Sequence, residues 1–326
     1  MSHRVAEKIS RIVPPGEGIR YRLQQAGVHA TIKLSPDDSP FTHLALVEYE
    51  IAQSATADLH AYKAIDRAYY CLEGTGTVVV GGKEYNIEAG SLVFCGRGWT
   101  VEFRNRFKGT MRLMAGSFPP GPEARHDNIA VDEGTGWVQR PLTAEVRRLL
   151  GIMVAPEAAD FPVGLRGETF VMAPDEGESY WQASPTDGYV TAKVTPFNSS
   201  IYHYSMGTQL LEPGARVREH GHKQLDEVLI AVKGTGTIRV DGVEQPFPLG
   251  TVAVVGRYVL HCFANAGSDD FVVAGIANPI GIEGALRETG VPRVPGEARP
   301  KNIPRNAETG RLLIEKYGFI IPGGGG

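Results

Sequence analysis

The sequence has little cysteine, little net charge and no long apolar run. Its three cysteines, Cys71, Cys95 and Cys262, are widely separated and form no Cys-x-x-Cys pair, which argues against a disulfide framework and favours a reducing cytoplasm. A formal charge of −4 provides no basic field, so we expect no nucleic-acid partner. No run of about 18 apolar residues occurs, so we expect no membrane span. The N-terminal segment also lacks the apolar core of a signal peptide.

Glycine and proline, in contrast, are abundant. The 40 glycines and 22 prolines divide the chain into many short segments, as an all-β fold requires. The length of 326 residues predicts two domains on a prior of roughly 150 residues each. We place these domains at 1–150 and 151–290. A C-terminal extension, 291–326, follows, with a short helix near 307–317 and a flexible glycine tail.

The chain contains an internal duplication. The tetrapeptide Gly-Thr-Gly-Thr at 74–77 recurs at 234–237, an offset of 234 − 74 = 160 residues. A comparison of 54–105 with 214–265 gives 16 identities in 52 positions, far more than chance provides. Each copy consists of short runs rich in β-branched and aromatic residues, separated by glycine turns. Each copy is therefore predicted to form a small β-barrel or sandwich.

The local elements can be placed on this repeat. The dipeptides Gly81-Gly82 and Asp241-Gly242 predict two-residue hairpin turns, because both tolerate positive φ angles. One helix is predicted between the copies, over 141–152, with Thr143 as its N-cap. The predicted strands are 68–72, 77–80, 91–95, 228–232, 237–240 and 251–255.

The second copy carries a pattern that is typical of a metal site. It reads G-x5-H-x-H-x4-E-x6-G over 214–234 and G-x10-H-x3-N over 250–265. The first two histidines share one face of a predicted strand. Three imidazoles and a carboxylate suit Fe(II), Mn(II), Ni(II), Cu(II) or Zn(II) and leave coordination positions open. Asp226 is an alternative to Glu227, but its spacing fits the pattern less well. The four predicted ligands are His220, His222, Glu227 and His261.

These two segments resemble the two motifs of the cupin superfamily. The segment GARVREHGHKQLDEVLIAVKG matches the first motif at every fixed position, and GTVAVVGRYVLHCFAN matches the second in its first Gly, its His and its Asn. Where the family usually has Pro-x-Gly, this chain has Gly256 and Tyr258, which alters a turn but keeps the ligands. The resemblance implies two tandem jelly-roll barrels with a few short helices, and it implies that the four residues above are metal ligands.

The first copy has lost three of the four ligand positions. Its equivalent residues are His60, Tyr62, Arg67 and Val101, and Arg67 would place a positive charge where the ion would lie. We therefore expect a metal-free first barrel that serves packing, dimerisation or shielding. An anion pocket on His60, Tyr62 and Arg67 is the alternative.

Three further residues are candidates for substrate binding. Arg218 is in phase with His220, so on a regular strand its guanidinium would face the barrel interior and clamp a carboxylate. The alternative is that Arg218 lies on the rim near solvent. Gln209 and Tyr204 precede this strand and are expected at the mouth of the same site.

The resemblance implies an enzyme with one divalent metal ion, Fe(II) in first place. We expect a dioxygenase that acts on a small oxygen-bearing organic acid, or on a phenolic or dicarbonyl compound chelated to the metal, with O2 as co-substrate. Non-redox catalysis by a decarboxylase, isomerase, lyase or hydrolase is the second hypothesis. Binding or sensing of a small molecule without catalysis is the third. A homodimer is also expected by resemblance, and no catalytic side chain is assigned.

Overall fold

A computed structural model describes residues 9–39, 41–132, 134, 136–303 and 307–323. The chain forms two compact units. We call 16–174 the first barrel, and 175–323 together with the N-terminal strand β1 (Ser10–Val13) the second barrel. Both are built almost wholly of strands with a few short helices, so the all-β prediction is confirmed. No helix among the described residues is long and apolar enough to cross a membrane.

The first barrel consists of two main sheets around one apolar core. Its strands are β2 (Ile19–Arg22), β3 (Val28–Leu34), β4 (Ala45–Ile51), β5 (Thr56–Leu59), β6 (Ala61–Tyr62), β7 (Asp66–Glu73), β8 (Thr75–Val80), β9 (Lys83–Glu88), β10 (Leu92–Cys95), β11 (Val101–Arg104), β12 (Met111–Phe118), β13 (Ile129–Asp132), β14 (Gly136–Gln139), β15 (Ile152–Met153) and β16 (Thr169–Met172). The larger sheet has the order β13-β14-β2-β3-β4-β12-β7-β10-β16, and the smaller has the order β5-β11-β8-β9. Only the β14–β2 pair is parallel among these strands. Both sheets contribute to the core.

The second barrel repeats this plan. Its further strands are β17 (Glu178–Gln182), β18 (Gly188–Val194), β19 (Ser205–Leu211), β20 (Gly221–His222), β21 (Asp226–Lys233), β22 (Thr235–Val240), β23 (Val243–Pro248), β24 (Val252–Val255), β25 (His261–Asn265), β26 (Phe271–Asn278), β27 (Val291–Arg293) and β28 (Phe319–Ile320). The larger sheet has the order β1-β24-β21-β26-β19-β18-β17-β27, and the smaller has the order β23-β22-β25. A short pair, β20-β28, lies beside them.

Within the described ranges, four α-helices connect or follow the strands. They are α1 (Ala144–Leu150), α2 (Ala155–Ala159), α3 (Ile282–Thr289) and α4 (Ala307–Glu315), and 3-10 turns occur at Pro122–Ala124, His126–Asn128 and Val163–Leu165. The predicted helix over 141–152 is confirmed as α1, and Thr143 Oγ1 accepts a hydrogen bond from Val146 N at 3.3 Å as its N-cap. The helix near 307–317 is present as α4. Helix α3 was not predicted. Most of the predicted glycine tail, 324–326, lies outside the described residues.

The division between the two units differs from the predicted one at residue 150. It falls after Pro174, because β16 pairs with β10 and so belongs to the first barrel. In the same way β1, which precedes the first barrel in the chain, pairs with β24 of the second barrel. Each of these strands covers an edge that would otherwise present unpaired backbone groups. The predicted extension after residue 290 is likewise part of the second barrel, since it contributes β27 and β28.

The predicted strands and hairpin turns of the repeat are present. All six predicted strands correspond to observed ones, at β7, β8 and β10 and at β21, β22 and β24. The turn between β8 and β9 has φ angles of 60° and 75° at Gly81 and Gly82. The turn between β22 and β23 has 49° and 83° at Asp241 and Gly242. Positive φ at both central residues is the geometry that a two-residue hairpin needs.

Candidate metal centre

His220 and His261 form a direct backbone pair. The N–H of His220 donates to the carbonyl oxygen of His261 at 3.0 Å, and the N–H of His261 donates to that of His220 at 2.8 Å. Residues paired in this way project their side chains to the same face. The two ring centroids are 4.4 Å apart, and His261, at the start of β25, is fully buried.

His222 and Glu227 reach the same point from β20 and β21. The ring centroids of His222 and His220 are 5.1 Å apart. Glu227 Oε2 lies 3.0 Å from Nε2 of His261 and 3.6 Å from Nε2 of His222. One potential ligand atom from each of the four residues lies within 4.8 Å of the others. The structure therefore brings together the four residues that the spacing predicted as ligands.

Backbone carbonyl groups orient two of the three imidazoles. His220 Nδ1 lies 2.9 Å from the carbonyl oxygen of Arg218, and His261 Nδ1 lies 3.3 Å from that of Val259. A carbonyl oxygen only accepts, so each Nδ1 carries a proton and each Nε2 is left to bind a further partner. In His261 this Nε2 lies 3.0 Å from Glu227 Oε2, close enough for one cation to bind both atoms. Metal-binding histidines usually have an outer partner of the kind that these carbonyl groups provide.

The third imidazole also indicates a cation. Within the ranges that the structure describes, neither ring nitrogen of His222 has a hydrogen-bond partner, although the residue is only 3% exposed. Leaving a buried polar atom unsatisfied costs about 1–3 kcal/mol. Ligand atoms at about 2.0–2.2 Å from one first-row ion are separated by roughly 3–4.4 Å, and the four observed ligand atoms, which lie within 4.8 Å of one another, need only a small contraction to reach this range. The residues therefore fit a single divalent transition-metal ion.

The electrostatics of the cluster favour the metal-binding protonation states. Burial, and then repulsion from His261 and His222, lower the pKa of His220 to about 3. Its imidazole is therefore neutral near neutral pH, as a metal ligand must be. Burial raises the pKa of Glu227, but the adjacent imidazoles of His222 and His261 outweigh burial and hold that pKa below its usual range. The cluster thus combines a neutral imidazole at His220 with a carboxylate charge at Glu227.

The C-terminal strand forms one wall of the cluster. Phe319 of β28 is paired with His222 of β20. The Phe319 ring centroid is 4.6 Å from that of His222, with the rings at 73°, and 5.7 Å from that of His220, with the rings at 17°. The N–H of Lys223 donates to the carbonyl oxygen of Gly318 at 2.9 Å. No pattern in the sequence predicted that Phe319 lies at this site.

A shift of one residue distinguishes the ligand strand from its counterpart in the first barrel. Arg216 is opposite Ala264, and His220 is opposite His261. The segment 216–220 therefore contains one residue more than the segment 261–264 that it faces. Such an extra residue bends a strand and re-aims its side chains. In the first barrel the pairing is regular, and Val101 is opposite Leu59 rather than the residue that sequence aligns with His220. The gapless alignment at offset 160 therefore misses this difference.

In the first barrel, protein side chains fill the position that corresponds to the ligand cluster of the second barrel. Arg67 is 3% exposed, and its guanidinium carbon lies 4.8 Å from the ring centroid of Tyr62 and 5.7 Å from that of Tyr69. Its Nη2 donates to the carbonyl oxygen of Trp99 at 3.1 Å. A fixed cation at this point repels a metal ion. The alternative of an anion pocket that includes His60 stays a prediction.

Asp226, the alternative carboxylate ligand, has another role. Its Oδ1 accepts a hydrogen bond from the N–H of Arg257 at 2.9 Å. In the first barrel Asp66 Oδ1 accepts from the N–H of Arg97 at 2.7 Å. Because this pair recurs in the barrel that lacks the ligands, it stabilises a turn of the scaffold. Asp226 does not belong to the ligand cluster.

The three predicted substrate residues lie in different environments. The Arg218 side chain is exposed, as in the rim alternative, while its carbonyl group contacts His220. Gln209 on β19 is opposite Val273, which is a core residue, so Gln209 shares the inward face. Tyr204 is buried immediately before β19. Substrate binding by these residues remains a prediction.

Comparisons with known proteins agree with this geometry. The family model for the cupin domain matches residues 45–116 and 207–276. Among curated proteins, Protein SchB from Streptomyces halstedii is 30% identical over 80 residues, which is 24% of this chain. The chain spans 58% of the length of that relative.

Solved structures share the two-barrel architecture. The putative glyoxylate-induced protein from Pseudomonas aeruginosa has a TM-score of 0.59 at 12% identity, and the match covers 85% of this chain and 93% of that one. Procruciferin, an 11S globulin from Brassica napus, has a TM-score of 0.59 at 10% identity, with 83% and 85% covered. At such identities the likeness shows the fold alone.

Proposed function

The chain is a cupin protein with two cupin domains, and on that basis we propose that it is a mononuclear metal-dependent enzyme. One divalent ion would be held by His220, His222, Glu227 and His261. Fe(II) is the first choice, and Mn(II), Ni(II), Zn(II) and Cu(II) suit the same donors. The proposed reaction is dioxygenation of a small oxygen-bearing organic acid, or of a phenolic or dicarbonyl compound.

The orientation of the imidazoles supports this proposal most strongly. Two backbone carbonyl groups hold Nδ1 of His220 and His261, which leaves each Nε2 to bind an ion, and that of His261 lies 3.0 Å from Glu227 Oε2. A purely structural cluster of buried polar groups would be expected to satisfy its own hydrogen bonds. Here neither ring nitrogen of His222 has a hydrogen-bond partner among the described residues. When bound, the ion would supply Lewis-acid and redox chemistry to a chelating substrate.

The surrounding residues suit a small polar substrate. Gln209 offers an amide on the inward face, and Arg218 offers an exposed guanidinium that can pair with a carboxylate in two-pronged fashion. The buried Tyr204 completes the proposed substrate set. The three cysteines are free thiols, which fits the cytoplasmic location that we propose.

Metal analysis of protein purified without a histidine tag tests the proposal. We expect about one iron per chain and O2 uptake with phenolic or dicarbonyl acids, since an Fe(II) centre with open positions reacts in this way. Mn, Zn or Ni without O2 uptake would instead favour decarboxylation, isomerisation, elimination or hydrolysis. Protein that binds no metal even after reconstitution would refute the metal centre.

A further inference from the structure

The three histidines of the cluster are not held in the same way. His220 and His261 each have Nδ1 against a backbone carbonyl oxygen, which fixes the rotation of the ring. His222 has no hydrogen-bond partner at either nitrogen among the described residues. Its orientation therefore depends on packing, and Phe319 is the residue paired with it across the β20–β28 ladder.

Phe319 contacts both neighbouring imidazoles with different geometries. Its ring is edge-on to His222, with a centroid distance of 4.6 Å and an angle of 73°. The same ring is stacked on His220, at 5.7 Å and 17°. Edge-to-face and stacked contacts at these distances are the two favourable arrangements of aromatic rings. One apolar side chain thus restrains two predicted ligands at once.

The segment that carries Phe319 is anchored at its other side. Lys316 Nζ lies 2.5 Å from Glu288 Oε2, and the hydroxyl group of Tyr317 donates to the same carboxylate. The ring of Tyr317 lies against Gly284 of α3, where an added Cβ would be 3.1 Å from it. Lys316 and Tyr317 therefore contact α3, and Phe319 follows them after Gly318.

The first barrel contains the same segment without the aromatic residue. The pattern A-E-x-x-R-L-L occurs at 144–150 and again at 307–313, and each helix is followed by a glycine with a φ angle of 65° or 67°, Gly151 or Gly318. The N–H of Lys63 donates to Gly151 as that of Lys223 does to Gly318, both at 2.9 Å. The next residue is Ile152 in the first barrel, paired with Tyr62. An aromatic residue is present only where the paired residue is a predicted ligand.

We propose that Phe319 is a positioning residue of the metal centre, which holds the rings of His222 and His220 in their ligating orientation. This role rests on the proposed metal function. It acts through the two histidines, and Phe319 itself provides no ligand atom. Loss of an outer partner of a metal ligand typically costs about 10- to 100-fold in metal affinity. We expect an effect of that size from removal of the ring.

Cobalt(II) titration monitored by visible absorption tests the role, because both the affinity and the ligand-field spectrum respond to imidazole orientation. The variants are Phe319→Ala, Phe319→Leu and Phe319→Tyr, each with a thermal unfolding measurement. Ile152→Ala is the matched control in the first barrel. We expect weaker binding, by about 10- to 100-fold, and an altered spectrum for Phe319→Ala and Phe319→Leu. Phe319→Tyr should retain the wild-type spectrum, and Ile152→Ala should leave binding unchanged.

The outcomes separate this inference from the proposed function. Wild-type affinity and spectrum in both Phe319→Ala and Phe319→Leu would overturn the positioning role while leaving the metal centre intact. A loss of affinity that Ile152→Ala reproduces would also overturn it, since the effect would then be one of general stability. Wild-type protein that binds no cobalt at all would overturn both the metal centre and the role of Phe319.

Discussion

The two barrels share a hydrogen-bonding scaffold and differ in the barrel interior. Asn105 and Asn265 make the same three hydrogen bonds in the two barrels, to two carbonyl oxygens and from one backbone N–H. The buried Lys33 and Lys193 both donate to a backbone carbonyl oxygen. The duplication has thus kept the groups that hold turns and strand ends. These groups cannot change without leaving buried polar atoms unpaired.

The interiors differ in size as well as in charge. At the offset of 160 residues, Tyr49 and Tyr69 of the first barrel correspond to Gln209 and Leu229 of the second. The two tyrosines are packed into the core of the first barrel, where Arg67 also lies. Smaller side chains at these positions in the second barrel accompany the ligand cluster. The first barrel therefore has a packed interior at these positions, and the second barrel has a polar cluster in its interior.

The largest difference between the barrels is expected from histidine removal. His261→Ala should lower metal affinity by more than the roughly 10- to 100-fold that an outer partner costs, because it removes a ligand and leaves Glu227 without its nearest partner. His60→Ala, in the first barrel, should leave the metal content unchanged. Metal analysis together with circular dichroism checks both variants. Full metal retention in His261→Ala would contradict the predicted difference in metal binding between the two barrels.

Equal effects are expected from the two asparagines. Asn265→Ala and Asn105→Ala should each lower the free energy of unfolding by about 2–4 kcal/mol, since each leaves buried backbone groups without a partner. Neither should change the metal content. Urea denaturation of both variants measures the loss. A much smaller loss in one barrel would show that its asparagine is not part of the shared scaffold.

The two buried lysines are expected to make the stability of the protein depend on pH. Burial lowers the pKa of Lys193 to about 8 from 10.5 and also lowers the pKa of Lys33. Between pH 8 and 10.5 the unfolded chain therefore binds more protons at Lys193, so its contribution to stability rises with pH in this window. The free energy of unfolding of Lys193→Met, relative to that of the wild type, should be highest at pH 7. Towards pH 10 this relative value should fall by an amount on the order of 1–3 kcal/mol.

Urea denaturation at pH 7 and pH 10 measures this change. Lys33→Met is the matched variant in the first barrel and should shift in the same direction. A stability difference between Lys193→Met and wild type that is constant over this range would contradict the prediction.

The smallest effect is expected at the altered turn before His261. Tyr258 has a φ angle of 64°, where the first barrel has Gly98 at 82°. A non-glycine residue in this region costs about 1–2 kcal/mol, partly offset by the entropy that glycine loses on folding. Tyr258→Gly should therefore raise the free energy of unfolding by about 1 kcal/mol or less. Chemical denaturation measures it, and a clear loss of stability would mean that the exposed ring makes a compensating contact.

Much of the ligand cluster was predictable because its spacing is local. His220 and His222 alternate along the chain, and Glu227 follows after a short turn, so these three residues lie within eight positions of one another. The substrate residues were less predictable. Arg218 was placed by regular strand alternation, but the extra residue between 216 and 220 interrupts that alternation. A bulge of this kind depends on the partner strand, which the local pattern does not contain.

By itself the sequence determined the duplication, the β class, the hairpin turns, the helix capped by Thr143 and the four predicted ligands. The strands, turns and helix cap follow from residue type and short-range spacing, whereas the duplication and the fourth ligand, His261, were read from motifs that recur along the chain. Only the tertiary structure decided that β1 pairs in the second barrel and β16 in the first, and that Phe319 lies against His222. These are pairings between distant parts of the chain. They are selected by which sheet edge is open and by which apolar side chain covers a buried site, so they depend on the whole fold.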